Sequence, residues 1–187
     1  MENLDRLAIH TMTTKPWDLP TAAAKYAAAN VKGVGVWRQW LDGRSLTESK
    51  AILDDHGMTA VSLVRGGFFP GLNDNERQTA LDDNRKALDE AAAISAPQVV
   101  LVCGAKPELS LADNRRQITD GIAACIEHAK SVGVKLSIEL LHPMYADCRS
   151  AINTIGQCND IIDEIGEEWV GIAVDVYHVW WHPQLDN

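Results

Sequence analysis

Gly171-Ile172-Ala173-Val174-Asp175-Val176-Tyr177-His178 reads as a short buried strand that ends in reactive groups. Ile172, Val174 and Val176 alternate with Gly171, Ala173 and Asp175. Successive side chains of a strand point to opposite faces, so one face packs bulky aliphatics against helices while the other lines something narrow and polar. A histidine follows three residues after the aspartate. Lys135 to Leu141 repeats the logic: Leu136, Ile138 and Leu140 share one face, Ser137 and Glu139 the other, and His142-Pro143 come directly after. Two strands thus each bring one carboxylate and one histidine to their C-terminal ends.

Working outward, the same strand-then-helix unit recurs along the chain. Leu7 to Thr11 sets Leu7 and Ile9 against Ala8 and His10, a first strand with His10 on the small-residue face. After a loop with Pro16 and Trp17, Pro20 sits where the first turn of a helix tolerates it and the alanine-rich run Thr21 to Asn30 favours helix. Val34 and Val36 alternate with Gly35 and Trp37 in a second strand, and Ser45-Leu46-Thr47-Glu48 is a capping box opening a helix to His56, with Gly57 as its stop. Thr59 to Val64 is a third strand, Arg65 to Gly71 a glycine-rich loop, Asn75 to Ser95 a long helix, and Gln98 to Cys103 a fourth strand. Ser110 to Asp113 caps a helix whose Ile118, Ile122, Cys125, Ile126 and Ala129 form one stripe and which stops at Gly133. Thr154 to Ile165 is the last full helix, halted at Gly166 before the strand that carries Asp175.

Alternating strands and helices of this kind specify an α/β protein with a parallel sheet. No linker, low-complexity run or shift of composition divides residues 1–187, which therefore read as one domain. A doubly wound sheet has strands that are bulky on both faces and often a glycine fingerprint after its first strand. Here small residues recur on one face instead (Ala8, Gly35, Ala60, Ser62, Ser137, Gly171, Ala173), as suits the crowded interior of a closed barrel. The fold class expected is a (β/α)8 TIM-barrel type. A complete barrel takes about 250 residues and eight strands, so about six βα units are expected in this chain, without the last two.

Composition narrows the partners. At 187 residues, 46% hydrophobic and 23% charged, the chain can bury a substantial core, and its net charge of −9 disfavours nucleic acid and anionic membranes, both of which bind basic surfaces. Cys103, Cys125, Cys148 and Cys158 include no CxxC pair, which fits reduced thiols rather than structural zinc or disulfides. The N-terminus has no basic-then-apolar leader and no stretch is apolar enough to span a bilayer, so a cytoplasmic protein acting on a small molecule is expected.

With the small-residue faces turned inward, strand parity alone points His10, Trp37, Glu139 and Asp175 into the barrel near one rim, and His178 reaches the same place by turning at the strand's end. Carboxylates with imidazole suit Mn²⁺, Mg²⁺, Co²⁺ or Zn²⁺. The competing reading is that Glu139 and Asp175 are buried carboxylates paired by Arg38, Arg65 or backbone donors, because a buried charge has to be paired. Trp37, Trp180 and Trp181 either wall a ligand pocket or are simply buried aromatics. His56 and His128 fall in helices and read as solvated.

Ile138-Glu139-Leu140-Leu141-His142-Pro143-Met144 and Val174-Asp175-Val176-Tyr177-His178-Val179-Trp180-Trp181 resemble the fifth- and sixth-strand motifs of the xylose isomerase-like TIM barrel superfamily, the sugar phosphate isomerase/epimerase group that also includes endonuclease IV. Thr14-Lys15-Pro16-Trp17, Val36-Trp37-Arg38 and Arg65-Gly66-Gly67-Phe68 are in keeping with it. The resemblance implies a metal-dependent sugar or sugar phosphate isomerase or epimerase that abstracts a proton and passes through an enediolate. It implies Glu139 as a ligand to a divalent metal (Mn²⁺ or Mg²⁺ first, Co²⁺ or Zn²⁺ as alternatives) and as one catalytic acid/base, with Asp175 as a second ligand. Substrate contacts are expected from His178, His142, Trp37, His10, Arg65 and Trp181. The family's further ligands, a histidine on the seventh strand and a glutamate on the eighth, have no counterpart in the sequence, and His182 is a poor substitute. An inosose-type dehydratase and a non-catalytic sugar-binding barrel are the alternatives; an endonuclease would want more histidines and a basic groove. A six-strand sheet leaves edges at the strands of Leu7 to Thr11 and Gly171 to Val176, so its open side is expected to be covered by a second copy in a homo-oligomer, by a separate fragment or by residues absent from this sequence.

Overall fold

The computed structural model of the chain describes residue 4 and residues 6–182. Six strands, β1 (Ala8–His10), β2 (Gly33–Trp37), β3 (Thr59–Gly67), β4 (Gln98–Val102), β5 (Lys135–Glu139) and β6 (Val170–Ala173), lie in one sheet in sequence order, and every adjacent pair is parallel. A doubly wound sheet must reverse its strand order at a switch point. None of the described strands does so, and the helices therefore follow one another around one face, α1 against α2, α2 against α3, α3 against α4 and α4 against α5. This is the wall of a TIM-type barrel, helices outside and a strand-lined interior within.

Each helix starts where a short polar side chain satisfies its free N–H groups. Asp18 accepts from Thr21 N at 3.0 Å and opens α1 (Leu19–Ala28) just ahead of the expected Pro20. Ser45 and Glu48 form the reciprocal capping box of α2 (Leu46–Asp55). Asn73 caps α3 (Asp74–Ala93), Ser110 caps α4 (Leu111–Val132), and Thr154 caps α5 (Ile155–Ile165). The helices α4 and α5 end on Gly133 and Gly166, both left-handed, which costs a glycine little.

The core lies between helices and the outer face of the sheet. Leu63, Val99, Leu101, Leu136 and Ile138 from the strands meet Leu19, Leu88, Ile118 and Ile122 from the helices, all at most 1% exposed. Each such side chain contributes about 1.5–3 kcal/mol by leaving water. One inward residue of the sequence reading is corrected: Ala60 belongs to this helix-side core. The register between β2 and β3 shifts after Val34, so that Gly35 stands opposite Ser62 rather than Val61, and Val61 and Ser62 both turn to the interior.

The Arg65 to Gly71 segment is not all loop. β3 runs on to Gly67, with Gly66 opposite Leu101 and Gly67 opposite Val102, and the register shift between Val64 and Gly66 leaves Arg65 out of the pairing. Gly67 has φ +107°, and a Cβ there would lie 2.0 Å from the Val102 carbonyl oxygen. The buried Asn84 side chain from α3 accepts from Gly67 N at 2.7 Å and donates to Gly67 O at 2.8 Å, which fixes this close approach.

The two site strands are shorter than their alternation suggests. The last β5–β6 pair is Glu139 opposite Ala173. Beyond it the chain after β5 turns to bond Ile152 through Leu141 N, and no ladder partner remains for residues 174–176. Asp175 instead accepts from Tyr177 N at 2.8 Å and caps a single turn, α6 (Val176–Val179). Val174 and Val176 are accordingly 62% and 78% exposed.

Candidate metal and proton-transfer site

The last residue of β5 and the first turn after β6 bring Glu139, Asp175 and His178 together, with one donor atom of each within 4.8 Å of the others. The carboxylates face the barrel interior across a cleft of about 690 Å³ that His10, Trp37, Ser62, Gln98 and Val100 also line. Burial and then the neighbouring Asp175 carboxylate push Glu139 from its usual 4.5 up to about 7, with Arg149 and Arg65 opposing. No donor side chain satisfies it: Glu139 makes no hydrogen bond among the described residues, and Arg38 is taken by Asp83 at 2.8 Å and Glu90 at 2.6 Å on the outer side of the sheet. Arg38 therefore pairs neither carboxylate and no backbone donor among the described residues pairs Glu139, whereas Asp175 has a backbone donor in Tyr177 N.

The histidines are set by their neighbours. His178 accepts at Nδ1 from the His142 backbone N–H at 3.2 Å, so the neutral ring carries its proton on Nε2 and presents an N–H donor. Burial lowers its pKa and Asp175 partly restores it. Tyr145 and Tyr177 contact the ring edge-on, with centroids at 5.9 Å and 5.1 Å. His10 lies on the bare backbone of Gly35, where a Cβ would come within 2.6 Å of the imidazole. Trp37 Nε1 donates to His10 Nδ1 at 3.3 Å, and burial, opposed by Asp175, lowers the pKa of this ring.

The remaining sequence candidates fall around this centre. His142 caps the short 3₁₀ turn Pro143–Tyr145 by accepting from Met144 N, stacks on Trp180 and meets Trp181 edge-on. Trp181 donates to the His178 carbonyl oxygen at 2.8 Å, so it braces the turn rather than lining the cleft. Arg65 lines a second cavity, of about 580 Å³, with Arg38, Phe68, Asp83 and Glu90, while remaining in electrostatic reach of Glu139. His128 is not simply solvated but pairs with Asp89 at 2.7 Å. Sequence reasoning passed over Gln98, Tyr145 and Arg149. Gln98 donates to Val61 O and accepts from Ser137 Oγ, and β4 parity could have found it. Tyr145 and Arg149 sit in an irregular loop with no period to reveal them.

Two carboxylates and an imidazole converging at the end of parallel strands, with no cationic partner among the described residues, fit a hard or borderline divalent cation. Comparison with known proteins agrees with the architecture. A protein from Sinorhizobium meliloti 1021, SMc04130, has a crystal structure that superposes with a TM-score of 0.93 at 38% identity, covering 98% of this chain and 67% of that one. A structure of D-psicose 3-epimerase in the presence of D-fructose shares the fold at 14% identity, TM-score 0.81, over 95% of this chain and 65% of its own. The inosose isomerase of Halalkalibacterium halodurans is 24% identical over 142 residues, 75% of this chain and 49% of that protein, so the chain spans about half the length of this curated relative. A family model described as xylose isomerase-like TIM barrel matches residues 22–187. The chain belongs to the xylose isomerase-like TIM barrel family.

Proposed function

We propose that this chain carries the metal-binding and proton-abstracting part of an isomerase or epimerase acting on a small hydroxyketone, a ketose or a cyclic polyol ketone. The observation that carries the reading is Glu139: a carboxylate pushed up to about 7, without a hydrogen-bond partner among the described residues, beside Asp175 and His178 at the barrel mouth. Glu139 and Asp175 would hold a divalent cation, with His178 alongside. When bound, such an ion neutralises the paired carboxylates and withdraws electron density from vicinal substrate oxygens, acidifying the carbon between them.

The chain's own groups then have defined parts. Glu139 takes the proton from the carbon next to the carbonyl and returns it to the same or the neighbouring carbon, which needs a pKa near the working pH. His178, held by the His142 backbone with its proton on Nε2, donates a hydrogen bond to a substrate oxygen. His10, oriented by Trp37 and Gly35 with Nδ1 accepting, offers a second donor to the cleft from β1. The inosose isomerase relative makes inosose the first substrate to try, ahead of the ketohexoses.

Titration of the 187-residue chain with Mn²⁺ tests the site, and deuterium uptake from D₂O at the carbon beside the carbonyl of inosose or of a ketohexose tests the chemistry. We expect one saturable Mn²⁺ site that weakens at least about tenfold in Asp175→Asn. We also expect exchange that Glu139→Gln abolishes. Mn²⁺ binding unaffected by both substitutions would remove the reading.

A further inference from the structure

Six of the nine arginines donate to a carboxylate or a backbone carbonyl, as expected in a chain of net charge −9 with acids to spare. Among the described residues Arg6, which precedes β1 at the other end of the sheet, makes no such bond, and neither do Arg65 and Arg149, which both stand at the site end. Arg65 Nη1 is buried without a hydrogen-bond partner, the one such side-chain atom among the described residues. A desolvated guanidinium N–H with nothing to donate to is unfavourable, and its usual remedy is an anion.

The fold holds these two guanidiniums near one another. Arg65 lies over the Phe68 ring at 4.3 Å and Arg149 over the Tyr145 ring at 5.4 Å. The Arg149 carbonyl accepts from Gly104 N at 2.9 Å, and Gly104 (φ +90°) is pressed so closely on Phe68 that a Cβ would lie 2.7 Å from the Phe68 Cα. The ends of β3, β4 and the loop after β5 are thus locked together; the two like charges sense each other and both sense Glu139, and Arg65 also senses Arg38 and Asp83. Neither forms an ion pair with Glu139 or with any other described carboxylate. They are therefore not the counter-ions of the acidic pair.

We infer that Arg65 and Arg149 form an anion-binding subsite at the barrel mouth, and that the substrate of the Glu139 site carries a phosphate or carboxylate group on the part of the molecule remote from its reacting carbon. This rests on the reading of Glu139 as the proton-abstracting group. A planar fork backed by an aromatic face is suited to two parallel N–H···O bonds to either oxyanion. The reacting carbons go to Glu139 and His178, and the anionic end is held on the β3 and β5 side.

Calorimetric titration of the 187-residue chain at low salt with D-fructose, D-fructose 6-phosphate, D-fructuronate and inorganic phosphate tests the inference. We expect at least one of the two anionic sugars to bind about tenfold or more tightly than D-fructose, the size of one charge-assisted contact at a partly exposed site. That ratio should collapse towards one in Arg65→Gln and in Arg149→Gln, and which anion shows it separates phosphate from carboxylate. If Arg65→Gln does not fold, Arg149→Gln and Arg65→Lys decide, the latter keeping charge but losing the fork. Wild-type binding that does not distinguish anionic from neutral sugar overturns the subsite and leaves the Glu139 reading standing. Arginine-dependent binding of inorganic phosphate with no sugar bound at all keeps the subsite and removes the sugar reading. A preference that survives Arg149→Gln together with either Arg65 variant, or no binding of any of the four, overturns the inference.

Discussion

Replacing Glu139 by glutamine should stabilise the metal-free protein, and only at neutral and alkaline pH. The unfolded chain releases the Glu139 proton near 4.5, whereas the folded protein holds it until about 7. Between those values the folded state binds more protons, so the contribution of this group to stability falls as pH rises through the window and stays low above it. At about 1.36 kcal/mol per pH unit, the gap from 4.5 to about 7 corresponds to about 3 kcal/mol of lost stability above pH 7 and less than about 1 kcal/mol at pH 5. Glutamine is neutral throughout and avoids the loss. Thermal melts in EDTA should therefore show Glu139→Gln within about 3 °C of wild type at pH 5 but raised by about 6–12 °C at pH 8, taking about 2–4 °C per kcal/mol for a chain of this size. Saturating Mn²⁺ should reverse the order at pH 8, because only wild type gains the ligand's stabilisation. An increase of the same size at both pH values, or a loss at pH 8 in EDTA, would refute the reasoning.

Asp175→Asn should bring the Glu139 titration midpoint down from about 7, since the Asp175 charge ranks after burial among its causes; carboxyl ¹³C shifts measure this, and an unchanged midpoint would assign the whole effect to burial. Gly67→Ala should cost about 3 kcal/mol or more in urea denaturation, because φ is +107° and the new Cβ meets the Val102 carbonyl at 2.0 Å, whereas Gly43→Ala, at φ +78° in open space, should cost about 1 kcal/mol. A Gly67 variant as stable as the Gly43 variant would mean that β3 and β4 are not held as described. Among the described residues β1 and β6 pair on one side only, and the interior beside them carries Val61, Val64 and Val100. Light scattering of the 187-residue chain should show self-association. A thermally stable monomer that binds no apolar dye would contradict this.

Much of the architecture was legible along the chain. Alternation placed all six strands, and Ser45, Glu48, Ser110, Gly133 and Gly166 marked helix ends, because a strand's two faces and a helix's unsatisfied termini are local demands that local residues must meet. Parity also directed Glu139 and His10 to the interior, and the motifs around Glu139 and Asp175 named the family. What escaped was set by partners distant in sequence. Ala60 faces the helices because β2 and β3 slip by one residue, and Gly67 belongs to a strand because Asn84 and Val102 hold it there. Asp175 leaves its strand because β5 ends first, and Glu139 rises to about 7 because burial and the Asp175 charge meet at one point. Arg149 lies in a loop without periodicity that Gly104, itself pressed on Phe68, ties to the end of β4. Periodicity records which face a residue needs, but register, burial and electrostatic proximity depend on what the rest of the chain places opposite it, and that is decided only when the sheet is assembled.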